Sequence, residues 1–137
     1  MPYVTQQQLV ARFGEEELIQ LTDRANVGAI DAAVLNQAIA DAGAEIDGYL
    51  AGRYQLPLAQ VPSVIALYCG DITRYRLYDD AARDEVRKRY EDAMKFLRLV
   101  SEGKVRLGAD EPAAPAAGSV QMETSGRVFG RDQGGFL

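Results

Sequence analysis

Apolar residues recur at intervals of three and four along much of the first hundred positions, the spacing of one buried face on an α-helix. The clearest run is Leu35, Ala38, Ile39, Ala42, Ile46, Tyr49 and Leu50, a stripe sustained for about four turns. Asn36, Gln37, Asp41, Glu45 and Asp47 fall away from it. Ile30 and Asp31 precede the run as staple and cap, with Leu35 as the staple partner. Gly43 and Gly48 lie inside this helix, where each costs about 1 kcal/mol relative to alanine. Their simplest use is close approach by another backbone. Gly52 stands where a left-handed helix cap is common.

Shorter elements flank this helix. VTQQQL begins one: Thr5 caps, Gln8 completes a capping box, and Val4 with Leu9 forms a hydrophobic staple. This helix is expected to end near Arg12. Gly14 breaks it, and Glu15, Glu16 and Glu17 open a second short helix, where acids complement the exposed amides. After the long helix, Leu56, Pro57 and Leu58 form a stiff corner, and Pro62 starts another helix. That helix has two apolar stripes, Ile65-Tyr68-Ile72-Tyr75 and Ala66-Cys69-Thr73-Leu77, so it is expected to be central and contacted on both sides. A last helix, about residues 83 to 102, carries Val86, Tyr90, Ala93, Met94, Leu97 and Val100 on one face. Its outer face offers Asp84 to Lys88, Glu85 to Arg89 and Glu91 to Lys95, pairs worth about 0.2–0.5 kcal/mol each.

The pattern changes after Glu102-Gly103. ADEPAAPAAG, residues 109–118, is a Pro/Ala spacer without the means to build a core. Residues 119–137 hold two short extended stretches around Ser125-Gly126, a candidate β-hairpin that cannot bury its own large apolar side chains. A few apolar groups and two arginines on a spacer suit a segment that orders on a partner. The expected architecture is all-α: a bundle of four to five helices over 1–108, the spacer, and an extended arm over 119–137.

Composition narrows the chemistry. Cys69 is the single cysteine and histidine is absent, which removes histidine-based catalytic arrangements, an internal disulfide and thiolate metal clusters. Phosphate-binding glycine loops are missing too. No apolar run approaches the ~18 residues of a membrane span. The start, MPYVTQQQ, shows no charged leader before an apolar segment, so the expectation is a cytoplasmic origin without membrane contact. The net charge of −5 lies in residues 1–102, with 16 acids against 11 bases, while residues 103–137 carry 4 of each. Such a body repels phosphate at long range.

Three polar clusters remain. EEE reads as a solvated helix start. YDDAARDE, residues 78–85, is the best carboxylate cluster, yet a helix end and the next helix start account for it; a metal at Asp79, Asp80 and Asp84 is the weaker reading. Arg74, Arg76 and Arg87-Lys88-Arg89 read as a solvated face or as contacts to acidic neighbours. AEIDGYLAGRYQLPL, residues 44–58, reads as a helix end and corner, with Arg53 able to reach terminal carbonyls or a carboxylate. No catalytic, cofactor or metal residue is assigned, and the chain is not expected to be an enzyme.

The order and wording of IDAAVLNQAIADAGAEIDGYLAGRYQLPL, VPSVIALYCGDITRYRLYD and MKFLRLVSEGKVRLG resemble a Mu-type phage family of small virion proteins. RVFGRD, Arg127 to Asp132, resembles the arginine-phenylalanine-arginine-aspartate ending of that family. The resemblance implies head completion: a helical head–tail connector adaptor beneath the portal protein, a homo-oligomeric ring of about twelve copies. Such a ring prepares the head for the stopper or tail-completion protein and leaves a channel for passing DNA. Its place is the virion neck, after synthesis in the host cytoplasm. The candidate arm would bind the portal or a neighbouring subunit through Val120, Met122, Arg127, Val128, Phe129, Arg131, Asp132 and Phe136. The alternative is a helical nucleic-acid-binding regulator using the basic residues between Arg74 and Arg98.

Overall fold

The computed structural model describes residues 2–107. They form five α-helices: α1 (Gln6–Phe13), α2 (Glu15–Thr22), α3 (Ala32–Leu50), α4 (Ser63–Tyr78) and α5 (Asp84–Ser101). A 3-10 turn, Asp79–Ala81, joins α4 to α5, and there is no strand among the described residues. The all-α expectation holds. The spacer, the arm and its candidate hairpin lie outside the described residues.

Local chemistry sets the helix starts. The Gln8 amide donates to Thr5 Oγ1 at 3.2 Å and the Thr5 amide to Gln8 Oε1 at 2.9 Å, the expected capping box. Asp31 Oδ1 accepts from the Ala33 and Val34 amides at 3.0 and 3.3 Å, a cap worth about 1 kcal/mol. Between α2 and α3, the Thr22 hydroxyl donates to the Leu18 carbonyl and accepts from the Asp31 amide. That residue ties one helix end to the next helix start.

The core lies where α3, α4 and α5 meet, with α1 and α2 packed beside α3 and α2 also against α4. Leu35, Ala38, Ile39, Ala42, Ile46 and Leu50 are buried as the stripe predicts, and Tyr49 is half-buried. From α5 come Val86, Ala93, Leu97 and Val100. Helix α4 is buried on both sides, through Ile65, Cys69, Ile72, Thr73 and Leu77, which fits its expected central place. Burial pushes the Cys69 thiol up to about 11, with a smaller downward pull from the Thr73 hydrogen bond. At neutral pH it is a core thiol.

Several local expectations are corrected. Gly52 is not a left-handed cap: Ala51 ends α3 in right-handed geometry, and the positive-φ glycines beside helix ends are Gly14, at φ 92°, after α1, and Gly103, at φ 80°, after α5. Among the described residues no backbone approaches Gly43 or Gly48. A β-carbon at Gly43 would meet only the Tyr3 ring at 3.7 Å, and one at Gly48 would meet nothing within 4 Å. Close approach occurs instead at Gly70, where a β-carbon would lie 2.8 Å from Arg12 Nη1 and 3.3 Å from Leu9 Cδ2. On α5 the ion pairs are Asp84–Arg87 and Lys88–Asp92, both at 3.6 Å. Turn geometry brings those groups together instead of the expected partners.

Two predictions follow from this geometry. Gly48→Ala adds helix propensity in open space and raises stability by about 1 kcal/mol. Gly70→Ala gains the same propensity but must displace Arg12 from the Leu67 carbonyl and Asp71, for a net loss of about 1 kcal/mol. Thermal melts of both variants check the opposite signs; a raised Tm for Gly70→Ala would refute the close contact.

A separate prediction concerns the α2–α3 loop, which presents Val27 to solvent. Asp23 Oδ1 and Oδ2 accept from the Val27 and Gly28 amides, and those bonds hold the carboxyl below its usual 3.8. A lowered pKa stabilises the loop above the unfolded value, and that stability is lost as pH falls through the folded value. The Val27 and Gly28 amide resonances are therefore expected to titrate together, with a midpoint below 3.8. An NMR midpoint at or above that value would contradict the arrangement.

Candidate functional site

None of the arm residues Val120, Met122, Arg127, Val128, Phe129, Arg131, Asp132 and Phe136 falls within the described residues. What is defined is the point from which that segment departs. Arg53 Nε donates to the Ser101 carbonyl at 3.2 Å, capping the end of α5. Its guanidinium lies so close to Gly103 that a β-carbon there would sit 2.5 Å from Arg53 Cζ. Tyr54, buried at the same corner, accepts the Leu107 amide on its hydroxyl at 3.1 Å. Leu107 is itself buried in the core. RYQLPL is thus more than a corner between α3 and α4: it holds the chain where it leaves the body.

The same corner borders a surface groove. The segment before α1 lies against the outer side of α3, and the Tyr3 hydroxyl donates to Asp47 Oδ1. Burial first, then the bonded carboxylate, raises the Tyr3 pKa well above its ordinary value. On one side of this pair is a groove of about 660 Å³, lined by Pro2 to Gln6 and by Asn36, Ile39, Ala40, Gly43 and Ala44. On the other is a hollow of about 340 Å³ lined by Leu56, Pro57, Leu58 and Val61. Tyr3 and Asp47 line both. Together these two hollows, the α3 channel, are largely apolar and share one carboxylate, Asp47.

Elsewhere, charges are used to fasten helices. Arg12 donates to the Leu67 carbonyl at 2.9 Å and to Asp71 at 2.6 Å. Asp71 is buried deeply enough for desolvation to outweigh Arg12 and raise its pKa. Arg74 forms a fork with Glu17, Nε–Oε2 at 2.6 Å and Nη2–Oε1 at 3.1 Å. The Arg12 and Arg74 guanidinium carbons lie 4.6 and 4.5 Å from the Phe13 ring centre. Glu45 accepts from Arg76 and from the Tyr90 hydroxyl, and Tyr90 stacks on Tyr75 with centroids 4.0 Å apart.

These contacts revise the polar clusters. Arg74 and Arg76 meet acids of their own chain, and Glu17 belongs to an ion pair instead of a solvated face. Asp79, Asp80 and Asp84 are exposed around the 3-10 turn. Among the described residues no group of three His, Cys, Asp or Glu side chains could hold a metal ion. No described helix is long and apolar enough to cross a membrane.

A model of the family described as "Bacteriophage Mu, Gp36" matches residues 3–124. The chain belongs to the Mu Gp36 family. Two relatives agree. One, "Mu-like prophage FluMu protein gp36" of Haemophilus influenzae, is 36% identical over 132 residues, covering 95% of this chain and 94% of the relative. The other, "Gene product J" of Escherichia phage Mu, is 37% identical over 141 residues and covers both chains completely. The Gp36 family match thus takes in the whole helical body, the groove and the spacer, and ends at residue 124, before Arg127. The resemblance carried by IDGYL, RYQLPL and the α4 wording is confirmed at the level of the family.

Sequence reasoning missed Tyr3, Arg12, Gly70 and the Glu17–Arg74 pair as structural participants. One signal was available for Tyr3: Gly43 lies one helical turn before Asp47, leaving room for a ring beside the carboxylate.

Proposed function

We propose that this Mu-type phage protein is a structural component of the virion neck: a head–tail connector adaptor without catalytic activity. It docks on the portal protein as a ring, receives the stopper or tail-completion protein, and forms part of the DNA channel. Residues 119–137 are its binding arm. The observation that carries this reading is the fastened point at which the chain leaves the described body. Leu107 is buried and fastened by Tyr54, which fixes where the sequence leading to the proposed arm starts.

Electrostatics supports the same role. A body with excess acid lets DNA slide and does not grip it. The regulator reading loses two of its cations, since Arg74 and Arg76 are engaged with Glu17 and Glu45. Titrating a DNA duplex at low salt separates the two: the adaptor predicts no submicromolar, salt-steep binding, and such binding would favour the regulator.

The direct test uses a phage that encodes this chain. Quantitative mass spectrometry of purified particles is expected to find it in ring-like copy number. Silencing its gene is expected to leave filled heads and free tails unjoined. Normal, infectious particles lacking the chain would overturn the proposal.

A further inference from the structure

The channel on the outer face of α3 and the exit of the chain beside it point to one occupant. Its floor includes buried Ile39 and Val4, and its rim at Ala40, Gly43 and Ala44 is low enough for another chain to lie close to the helix. Asp47, half-buried at the middle, has Tyr3 as its hydrogen-bond donor, and a carboxylate retains capacity for further donors such as a guanidinium. Residues 119–137 offer the matching chemistry: Val128 and Phe129 between Arg127 and Arg131.

Reach decides whose arm fits. Leu107 is bonded to Tyr54, two positions before Leu56 of the channel, so a chain's own channel begins within about 15 Å of its exit. The ten residues 109–118, with prolines at 112 and 115, span up to about 30 Å. That exceeds the distance to the chain's own channel and spans the width of one body of this size, about 30 Å, so a neighbouring copy's channel is within reach. We propose that the α3 channel of one copy seats residues 119–137 of a second copy. Arg127 or Arg131 meets Asp47, and Phe129 enters the apolar floor. A contact of this kind joins unlike surfaces, so it propagates from copy to copy, and a rotation that closes makes it a ring. The inference rests on residues 119–137 being a binding arm, and it needs no other virion protein.

Mixing two full-length variants tests it, one carrying Ala44→Cys in the channel and the other Phe129→Cys in the arm. Buried Cys69 is common to both and does not compete. Under mild oxidation a disulfide-linked dimer is expected at least about tenfold faster than with Val27→Cys, an exposed control away from the channel. Adding Ala40→Trp to the channel variant is expected to suppress the link while the thermal melt is kept. Linking no faster than the Val27 control overturns the inference. So does a chain carrying both cysteines that closes only on itself. Either result leaves particle composition, the test of the neck assignment, untouched.

Discussion

Arg74→Ala is expected to lower the unfolding free energy by about 3 kcal/mol, the low end for removing one partner of a buried ion pair. The Arg74 side chain is 8% exposed and its partner Glu17 is 20% exposed. Truncation leaves Glu17 without its fork and removes one of the two cations on Phe13. The α1–α2 unit also loses its main charged tie to α4, with Arg12–Asp71 left as the second. Water reaching Glu17 keeps the cost at the low end. Arg74→Lys restores charge without the planar fork and is expected to recover less than half. Replacing both partners with leucine is expected to recover most of the loss, since no charge is then stranded. Urea unfolding checks all three. A loss under about 1 kcal/mol for Arg74→Ala would show that the pair is solvated in practice.

Removing residues 119–137 is expected to leave the helical circular dichroism and the unfolding midpoint of the body unchanged, and to abolish its assembly on the portal. The first half follows from the core that residues up to Leu107 form among themselves. The second follows from the proposed arm, whose sequence offers Val128, Phe129 and Phe136 as large apolar anchors. A point substitution makes the claim quantitative. Phe129→Ala removes the largest side chain of the RVFGRD motif, and a buried aromatic anchor is worth about 2 kcal/mol or more at an interface. That corresponds to about thirtyfold weaker association. The stability of the body is expected to stay within about 0.5 kcal/mol. Native-like assembly of the truncated chain would remove the arm from the account.

The parts of this fold that could be read in advance are the local ones. Thr5 with Gln8, and Asp31 with the amides after it, act within three residues, and the α3 and α5 stripes depend only on helical period. The contacts that fix the tertiary arrangement join positions far apart: Tyr3–Asp47 is separated by 44 positions, Arg53–Ser101 by 48, Tyr54–Leu107 by 53 and Arg74–Glu17 by 57. Charge patterning assigns such side chains to a solvated face because it cannot say which helix comes to lie beside them. The glycines show the same boundary. Gly43 and Gly48 stood out by being inside a long apolar stripe, but the value of Gly70 depends on where α1 packs. The groove was invisible for a related reason, since it needs the segment before α1, the α3 surface and the Leu56–Val61 corner together.

The stretch AEIDGYLAGRYQLPL illustrates what structure adds to a motif. Its density of polar groups reflects four fastenings: Glu45 holds Arg76 and Tyr90, Asp47 holds Tyr3, Arg53 caps α5, and Tyr54 secures Leu107. Each involves a different part of the chain. The segment therefore ties the core to the point at which the chain leaves the described body, the geometry on which the proposed ring depends.

The most direct measurement is to mix the purified full-length protein with portal rings of the phage that encodes it and image the product by electron microscopy. The account predicts a ring of this chain beneath the portal, with the portal's symmetry and an open central channel, and with residues 119–137 ordered against a neighbouring copy. Portal rings that emerge bare at saturating protein, or a chain bound elsewhere on the particle, would contradict it.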